Sequence, residues 1–379
     1  MSRLKIVAER IRRRIESIAK DDGPSAPLGI ETGLQVLSIL YGAVMAIRAR
    51  LYETGRLPSR SLPCRVVSVG NITAGGTGKT PMTIFVAQTI SGLGYRVVVI
   101  SRGYKGRMEH SGGVVSDGRT LFHGPEAAGD EPYLMATALT GIPVVVGGDR
   151  YQAGMMAMQR FAPDVIVLDD AFQHLRLRRD IDLVLLDHHA PLGNGHLLPR
   201  GRLREPLSAL GRAHALIFTR CPPDAPFLRP PPWFRNRPVF YTFHVPVFKV
   251  TRPPDGFSPE GMVKFSSLQG KPAVAFSGLA DNDQFFDSLE QSGCRLVHRV
   301  AFGDHHRYGA DDIDRVVRQA VASSADLLIT TLKDWVKIQH QQHWPLPIIA
   351  VDVRIGWHAD SGRFDNFLST ALASTVTPS

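Results

Sequence analysis

The stretch from Val66 to Pro81, Val-Val-Ser-Val-Gly-Asn-Ile-Thr-Ala-Gly-Gly-Thr-Gly-Lys-Thr-Pro, constrains this chain more than any other. A valine-rich apolar run reads as a buried strand, a glycine-rich loop follows, and a helix-forming run begins at Pro81. This strand–loop–helix order is a phosphate cradle (a P-loop). Small residues let successive backbone N–H groups converge on phosphate oxygens, and the helix N-terminus adds partial positive charge. Thr73, Ala74, Gly75, Gly76, Thr77, Gly78, Lys79 and Thr80 are the expected nucleotide contacts. Lys79 would reach the β- and γ-phosphates, and the Thr80 hydroxyl would ligate magnesium. A glycine-rich turn opening an ordinary helix is the bland alternative; Gly-Lys-Thr after a β-run speaks against it. Thr73 stands where the usual eight-residue pattern has Gly, so the loop is atypical.

Strand and helix signals alternate on both sides of this loop. Expected strands are Arg65–Val69, Arg96–Ile100, Ile142–Val146, Val165–Leu168, Leu183–Leu186 and Ala215–Thr219, with helices near Met82–Ser91, Glu131–Leu139 and Gln152–Phe161. The pattern predicts an α/β fold, a P-loop NTPase-like and mostly parallel sheet flanked by helices. A proline-rich stretch, Pro222 to Pro238, reads as an interdomain connection. Beyond it, strands at Ala273–Phe276, Leu296–Phe302, Asp326–Thr330 and Ile348–Val351, with helices near Asp283–Gln291 and Asp312–Ala322, predict a second, smaller α/β domain. The expected domains are 1–62, 63–235 and 236–379.

At 379 residues, 44% hydrophobic and 21% charged, the chain has the composition of a folded globular protein. Three cysteines far apart, Cys64, Cys221 and Cys294, argue against a disulfide framework or a zinc site and for a reducing compartment. No cleavable signal peptide is expected. The net charge of +9 points to an anionic partner. Arg3, Lys5, Arg10, Arg12, Arg13 and Arg14 crowd the first turns. After a Gly/Pro break, an apolar run from Leu34 to Ile47 is followed by Arg48, Arg50, Arg56 and Arg60. The run is shorter than the ~20 residues that span a bilayer. It suits either a buried core helix or a helix lying on an anionic membrane surface, and the basic flanks favour the membrane. A nucleic-acid partner fits less well and is not expected, because no stacking aromatics interleave the basic residues and no recognition motif is apparent.

Four further clusters carry chemistry. Val165-Ile166-Val167-Leu168-Asp169-Asp170-Ala171-Phe172-Gln173-His174 is an apolar strand ending in an acidic pair, where a hard cation finds oxygen ligands. Gly129-Asp130-Glu131-Pro132 sits at a helix start; Asp130 is either an N-cap or an acceptor for the proton of an attacking hydroxyl. Phe302-Gly303-Asp304-His305-His306 sets an acidic neighbour beside a histidine at a strand end. Thr330-Thr331-Leu332-Lys333-Asp334 has the form of a guanine-reading loop with Thr in place of Asn. The basic segment Leu198–Pro206 adds Arg200, Arg202 and Arg204, suited to phosphate.

Taken in order, these motifs, with Ser101-Arg102-Gly103-Tyr104 and Leu203-Arg204-Glu205-Pro206, resemble the tetraacyldisaccharide 4′-kinase (lipid A 4′-kinase) family over roughly Leu34 to Val353. Ala171 stands where that family often has Gly, and the basic segment before Pro24 lies outside the likeness. The resemblance implies ATP- and Mg2+-dependent phosphorylation of the 4′-hydroxyl of tetraacyldisaccharide 1-phosphate, giving lipid IVA for lipopolysaccharide. It implies a peripheral or monotopic enzyme on the cytoplasmic face of a Gram-negative inner membrane. By its pattern, Asp130 is the base and His305 forms a dyad with it across a domain cleft. Asp169, Asp170 and Gln173 would order magnesium, Arg150 and Arg204 would steady phosphate groups, and Arg102, Tyr104, Glu131 and His174 join the substrate site. Two rivals use the same loop: a membrane-associated nucleotide switch of the metallochaperone or partitioning type, and a structural ATPase without a small-molecule acceptor.

Overall fold

The computed structural model describes residues 29–222, 228, 234, 237–252, 268–339, 344–358 and 361–374. The arginine-rich first turns and most of the proline-rich stretch therefore lie outside the described residues. The strands are β1 (Arg65–Asn71), β2 (Val97–Ser101), β3 (Gly113–Ser116), β4 (Val144–Val146), β5 (Val165–Asp169), β6 (Ile181–Asp187), β7 (Ala215–Thr219), β8 (Val239–Arg252), β9 (Pro272–Ser277), β10 (Arg295–Ala301), β11 (Leu327–Thr331) and β12 (Ile348–Trp357). The chain divides into two compact units. The first comprises Met1–Arg102, Gly147–Phe243 and Gly356–Ser379, the second Gly103–Val146 and His244–Ile355. These units cut the chain differently from the linear bounds drawn on sequence, because Gly103–Val146 packs with the C-terminal half.

In the first unit β2, β5, β1, β6, β7 and the start of β8 lie side by side, all parallel. Parallel strands are covered on both faces, so they read as unbroken apolar runs; Val66, Val67, Val69 and Val165–Leu168 are all at most 1% exposed. The chain leaves β1 for β2 and β5 on one side and returns to β6 on the other. Ligands bind at such a reversal, beyond the strand C-termini. Asn71, Ser101, Asp169, Asp187 and Thr219 all end strands on that edge. The helix Ser361–Ala373 closes the unit through Phe364. Fully buried, its ring lies 4.7 Å from Trp357, 5.1 Å from Phe240 and 6.1 Å from Phe85. Burying one such ring stabilises by about 1.5–3 kcal/mol.

The second unit carries a parallel sheet in the order β10, β9, β11, β12 and an antiparallel pair, β3 with β4. Two strands escape a sequence reading. β3 is four residues set among glycines, and β8 holds Pro246 in its interior, which normally marks a strand edge or an interruption. Ile142–Val146 is correspondingly shorter than expected, Val144–Val146, and antiparallel to a partner the pattern did not reveal.

The apolar N-terminal element is also longer than the run that announced it. It is a helix of 24 residues, Ile30–Glu53, spanning ~36 Å, since arginine, leucine and glutamate after Ile47 are good helix formers. Leu34, Ser38 and Gly42, four apart, form its buried stripe on the first unit. Ser38 Oγ donates to Leu197 O at 2.8 Å, Tyr41 Oη to Arg204 O at 2.7 Å and Arg48 Nη2 to Gln173 O at 3.0 Å. A side chain at residue 42 would meet the tip of Leu197 at 2.6 Å, so Gly42 lets the helix lie close to that side chain. The opposite face, Val36, Leu37, Leu40, Val44 and Ile47, stays 53–62% exposed.

Candidate active site

Helix Lys79–Gly92 begins two residues before Pro81, which the sequence had marked as its start. Pro81 is tolerated inside the first turn, where its missing N–H has no intrahelical acceptor to lose. Gly78 caps the helix at φ 79°, a left-handed conformation that favours glycine. The loop is braced from several sides. Asn71 Nδ2 donates to Thr77 Oγ1 at 2.9 Å, Thr219 Oγ1 to Thr77 O at 3.0 Å, and Ala74 N to Arg202 O at 2.6 Å. Arg204 N reaches Ile72 O at 2.7 Å. The basic segment is thus main-chain scaffold for the phosphate loop as well as a source of charge.

The two aspartates at the end of β5 part company. Asp169 is 2% exposed, and its oxygens accept from Thr83 Oγ1 at 3.1 Å and Ser101 Oγ at 3.0 Å. Asp170 turns the other way, at φ 46°, towards Arg204 Nη1 at 2.8 and 3.0 Å and Lys79 Nζ at 3.8 Å. Burial would raise the Asp170 carboxyl, but Lys79 and Arg204 outweigh it, and its pKa falls below the usual range. Gln173 Nε2 donates to Asn71 O at 2.8 Å. Arg150, 3% exposed, gives its guanidinium to Gly147 O at 2.8 Å and Asp169 O at 3.4 Å, so it ties strand ends together from inside the protein. His174 is held neutral: burial first, then the charges of Arg150 and Arg179, push its pKa down to about 4. Arg102 is exposed just after β2.

The second unit holds a separate cluster. Asp130 is the first residue of helix Asp130–Ala138, and Gly129, at φ 94°, takes the cap position, so the N-cap reading of Asp130 is overturned. At the first helical position its carboxylate faces the positive end of the helix. Gly106 lets the chain pass close beneath: a Cβ there would lie 2.6 Å from Gly129 N. His305 Nδ1 lies 3.2 Å and Lys337 Nζ 3.3 Å from Asp130 Oδ2. Burial alone would raise Asp130, but the hydrogen bond from His305 and the charge of Lys337 together hold it below the ordinary carboxylate range. His305 adopts φ 56°, uncommon for a non-glycine residue. Tyr104, half exposed, sets its ring edge-on to His305 at 5.6 Å, and Lys333 Nζ reaches Glu131 Oε1 at 3.5 Å. Both partners of the pair belong to this one unit.

The segment with the form of a guanine-reading loop has a different use. Thr331 caps helix Leu332–Ile338 by accepting from Asp334 N at 3.0 Å. Asp334, fully buried, accepts from Gly278 N at 2.9 Å and from Thr331 Oγ1 at 2.8 Å. It is a structural fixture, so its sequence carries no argument for a guanine-specific switch. Likewise Glu205, 1% exposed, pairs with Arg212 at 2.6 Å, and Arg212 stacks over the Phe172 ring at 4.6 Å. Sequence reasoning missed Lys337 and Thr83, and it quoted Ser101 in a motif without a role. Only the i, i+4 spacing of Lys333 and Lys337 hinted that the two lysines share a helix face.

Residues 30–373 match the family model described as tetraacyldisaccharide-1-P 4′-kinase. The tetraacyldisaccharide 4′-kinase of Desulfatibacillum aliphaticivorans is 41% identical over 367 residues, covering 96% of this chain and 98% of that protein. The one from Pelobacter propionicus is 45% identical over 303 residues, 79% and 81% of the two chains. Among solved structures, the "apo" form of LpxK from Aquifex aeolicus in complex with ATP superposes with a TM-score of 0.73 at 30% identity, covering 91% of this chain and all of that one.

The depressed Asp130 carboxyl fixes the sign of a pH effect. Between the folded and unfolded pKa values the unfolded chain binds more protons, so this carboxylate contributes stability that is complete above the unfolded value, ~3.9, and lost as pH falls through the folded one. The difference in unfolding free energy between wild type and Asp130→Asn, from urea titrations at a series of pH values, should be flat above about pH 5. It should shrink on acidification below that. A difference that grows as pH falls would mean the carboxyl is raised by burial instead.

Proposed function

The chain belongs to the tetraacyldisaccharide-1-P 4′-kinase family, and from that premise we propose that it moves the γ-phosphoryl group of ATP to the 4′-hydroxyl of tetraacyldisaccharide 1-phosphate, giving lipid IVA in lipid A assembly. The Asp130–His305 pair carries this reading, because a switch or a structural ATPase has no use for a half-buried carboxylate–imidazole pair in addition to its phosphate loop.

The first unit supplies the donor side. Backbone N–H groups of Thr73–Thr80 would cradle the phosphates, and Lys79 would offset the negative charge spread over the transferring group. Arg204 spends Nη1 on Asp170 and would offer its other N–H groups to phosphate oxygens. The residues present fit a nucleotide-borne magnesium ion. A hydroxyl (Thr80), one anionic carboxylate (Asp170) and an amide oxygen (Gln173, whose nitrogen is already spent on Asn71 O) are the sparse, hard donors such an ion takes alongside phosphates. Bound there, it would neutralise charge on the phosphate oxygens. Asp169, engaged by Thr83 and Ser101, would position Asp170 rather than ligate, and Arg150 and His174 would hold that loop from behind.

The second unit supplies the acceptor side. Asp130 would take the proton as the 4′-oxygen bonds to phosphorus and the bond to the ADP oxygen breaks. A carboxylate held below its ordinary range is a weak base, but a loose phosphoryl-transfer transition state asks for little proton removal before the attack. His305 orients the carboxylate, and Tyr104 and Glu131 would flank the sugar.

The helix Ile30–Glu53 would rest its exposed face, Val36 to Ile47, in the anionic cytoplasmic leaflet of the inner membrane, where the acylated substrate resides. Its support is a docked small-residue stripe opposite a wholly apolar one, with arginines following. It is long and apolar enough to cross a bilayer, a property that buried core helices and signal sequences share. Flotation with phosphatidylglycerol vesicles should persist in part at high salt, since apolar burial is not screened. Release of the full chain by salt alone would refute the seated helix.

The central assay follows label from [γ-32P]ATP in mixed micelles containing the lipid acceptor. The label should enter the chloroform-extractable fraction, and Lys79→Ala should lower that rate about 10²–10³-fold in a folded protein. Label released only as inorganic phosphate would replace the kinase by an ATPase.

A further inference from the structure

Helix Leu332–Ile338 presents Lys333 and Lys337 one turn apart to the Asp130–His305 pair, and each takes a different member. Lys337 Nζ bridges Asp130 Oδ2 at 3.3 Å and Asp334 Oδ1 at 3.1 Å. Lys333 Nζ lies 3.3 Å from His305 Nε2, with Glu131 Oε1 at 3.5 Å and Asp304 Oδ1 at 3.6 Å as its other partners. An ammonium has three donors and no acceptor. Glu131 and Asp304 take the ammonium as an ion pair, and the contact to the imidazole is a hydrogen bond only where Nε2 accepts.

The consequence for His305 is a matter of proton counting. If Nε2 accepts from Lys333, it carries no hydrogen, and the single proton of a neutral imidazole sits on Nδ1. Nδ1–H then donates to Asp130 Oδ2. Among the described residues, all hydrogen bonds and ion pairs to Asp130 converge on Oδ2, which leaves Oδ1 to meet an incoming hydroxyl. The groups facing the ring are Asp130 and Glu131 from one helix, Lys333 and Lys337 from the other, Asp304 from its own loop and the edge of Tyr104. Burial opposes the charge on Lys333, but Glu131 and Asp304 more than compensate, and its pKa is raised, so it remains a donor across the physiological range.

We propose that Lys333 is a positioning residue for phosphoryl transfer: it locks His305 in the Nδ1–H tautomer, so that the imidazole always donates to Asp130 and never competes as a second base. The inference rests on the reading of Asp130 as the base, and it assigns to Lys333 a role that contact with nucleotide or lipid does not supply. Without the lysine, Nε2–H becomes available, the ring can rotate or accept at Nδ1, and the carboxylate loses its orienting donor.

The test uses the full-length chain labelled with 15N-histidine. At neutral pH the wild-type His305 signal should show an unprotonated Nε2 and a protonated Nδ1. Lys333→Met should shift that resonance pair towards the Nε2–H tautomer and lower kcat by about 10–10²-fold, with the KM for ATP little changed. Lys333→Arg, which keeps a donor, should restore the tautomer and part of the rate. Should Lys333→Met fail to fold, Glu131→Gln, which removes an anchor of the lysine, should move the same resonances in the same direction by less. A protonated Nε2 in wild type, or a tautomer unmoved by loss of the lysine, would overturn the proposal. The spectra report on the ring whether or not lipid is phosphorylated, so failure of the kinase reading and failure of the lysine lock are told apart.

Discussion

A half-buried carboxylate at the start of a helix has to be compensated, and the compensation of Asp130 shapes the second unit. Two donors converge on one oxygen, Oδ2: the imidazole of His305, 175 residues away in sequence, and the ammonium of Lys337. Bringing them there requires Gly103–Val146 to fold with the C-terminal half, helix Asp130–Ala138 to lie against helix Leu332–Ile338, and the loop after β10 to turn through the left-handed region at His305. Asp334 anchors the base of that arrangement through Gly278, Thr331 and Lys337. Removing one partner would leave charge uncompensated in a poorly solvated place, which is why such clusters come as sets.

The first unit solves the same electrostatic problem in another way. Asp170 is offset by two cations, Lys79 and Arg204, which are also the groups proposed to receive a nucleotide. An arriving triphosphate with its metal ion would redistribute these pairs rather than create them anew, which limits the reorganisation that binding costs. The N-terminal helix is tied to the same loop system through Tyr41 to Arg204 O and Arg48 to Gln173 O. The surface proposed to meet lipid and the residues proposed to meet phosphate thus share backbone carbonyls.

Much of this was legible in the sequence because it is local. The strand–loop–helix of β1 and Lys79–Gly92, the acidic end of β5 and the parallel β-runs depend on neighbours in sequence, and their residues declare them. Roles set by long-range partners were not legible. Asp169 and Asp170 are adjacent and identical in type, yet Thr83 and Ser101 claim one while Arg204 claims the other. The burial of Arg150 and its bonds to the carbonyls of Gly147 and Asp169 could not be read from its neighbours. Lys333 and Asp334 have the form of a failed guanine loop; in the fold one faces a histidine, and the other is buried, its carboxylate accepting from Gly278 N and Thr331 Oγ1. β8 was hidden by Pro246, and the unit boundaries by the return of the chain through Gly103–Val146.

That Asp130 and His305 act as one device, in which the imidazole works only through the carboxylate, is the claim on which the acceptor side stands. A double-mutant cycle on kcat measures it most directly, with Asp130→Ala, His305→Ala and the double variant compared in one lipid-transfer assay and folding checked for each. If the pair is one device, each single substitution costs orders of magnitude and the double is little worse than either. Losses that multiply in the double variant would mean the two residues contribute separately, and the account of the second unit as an oriented base would be wrong.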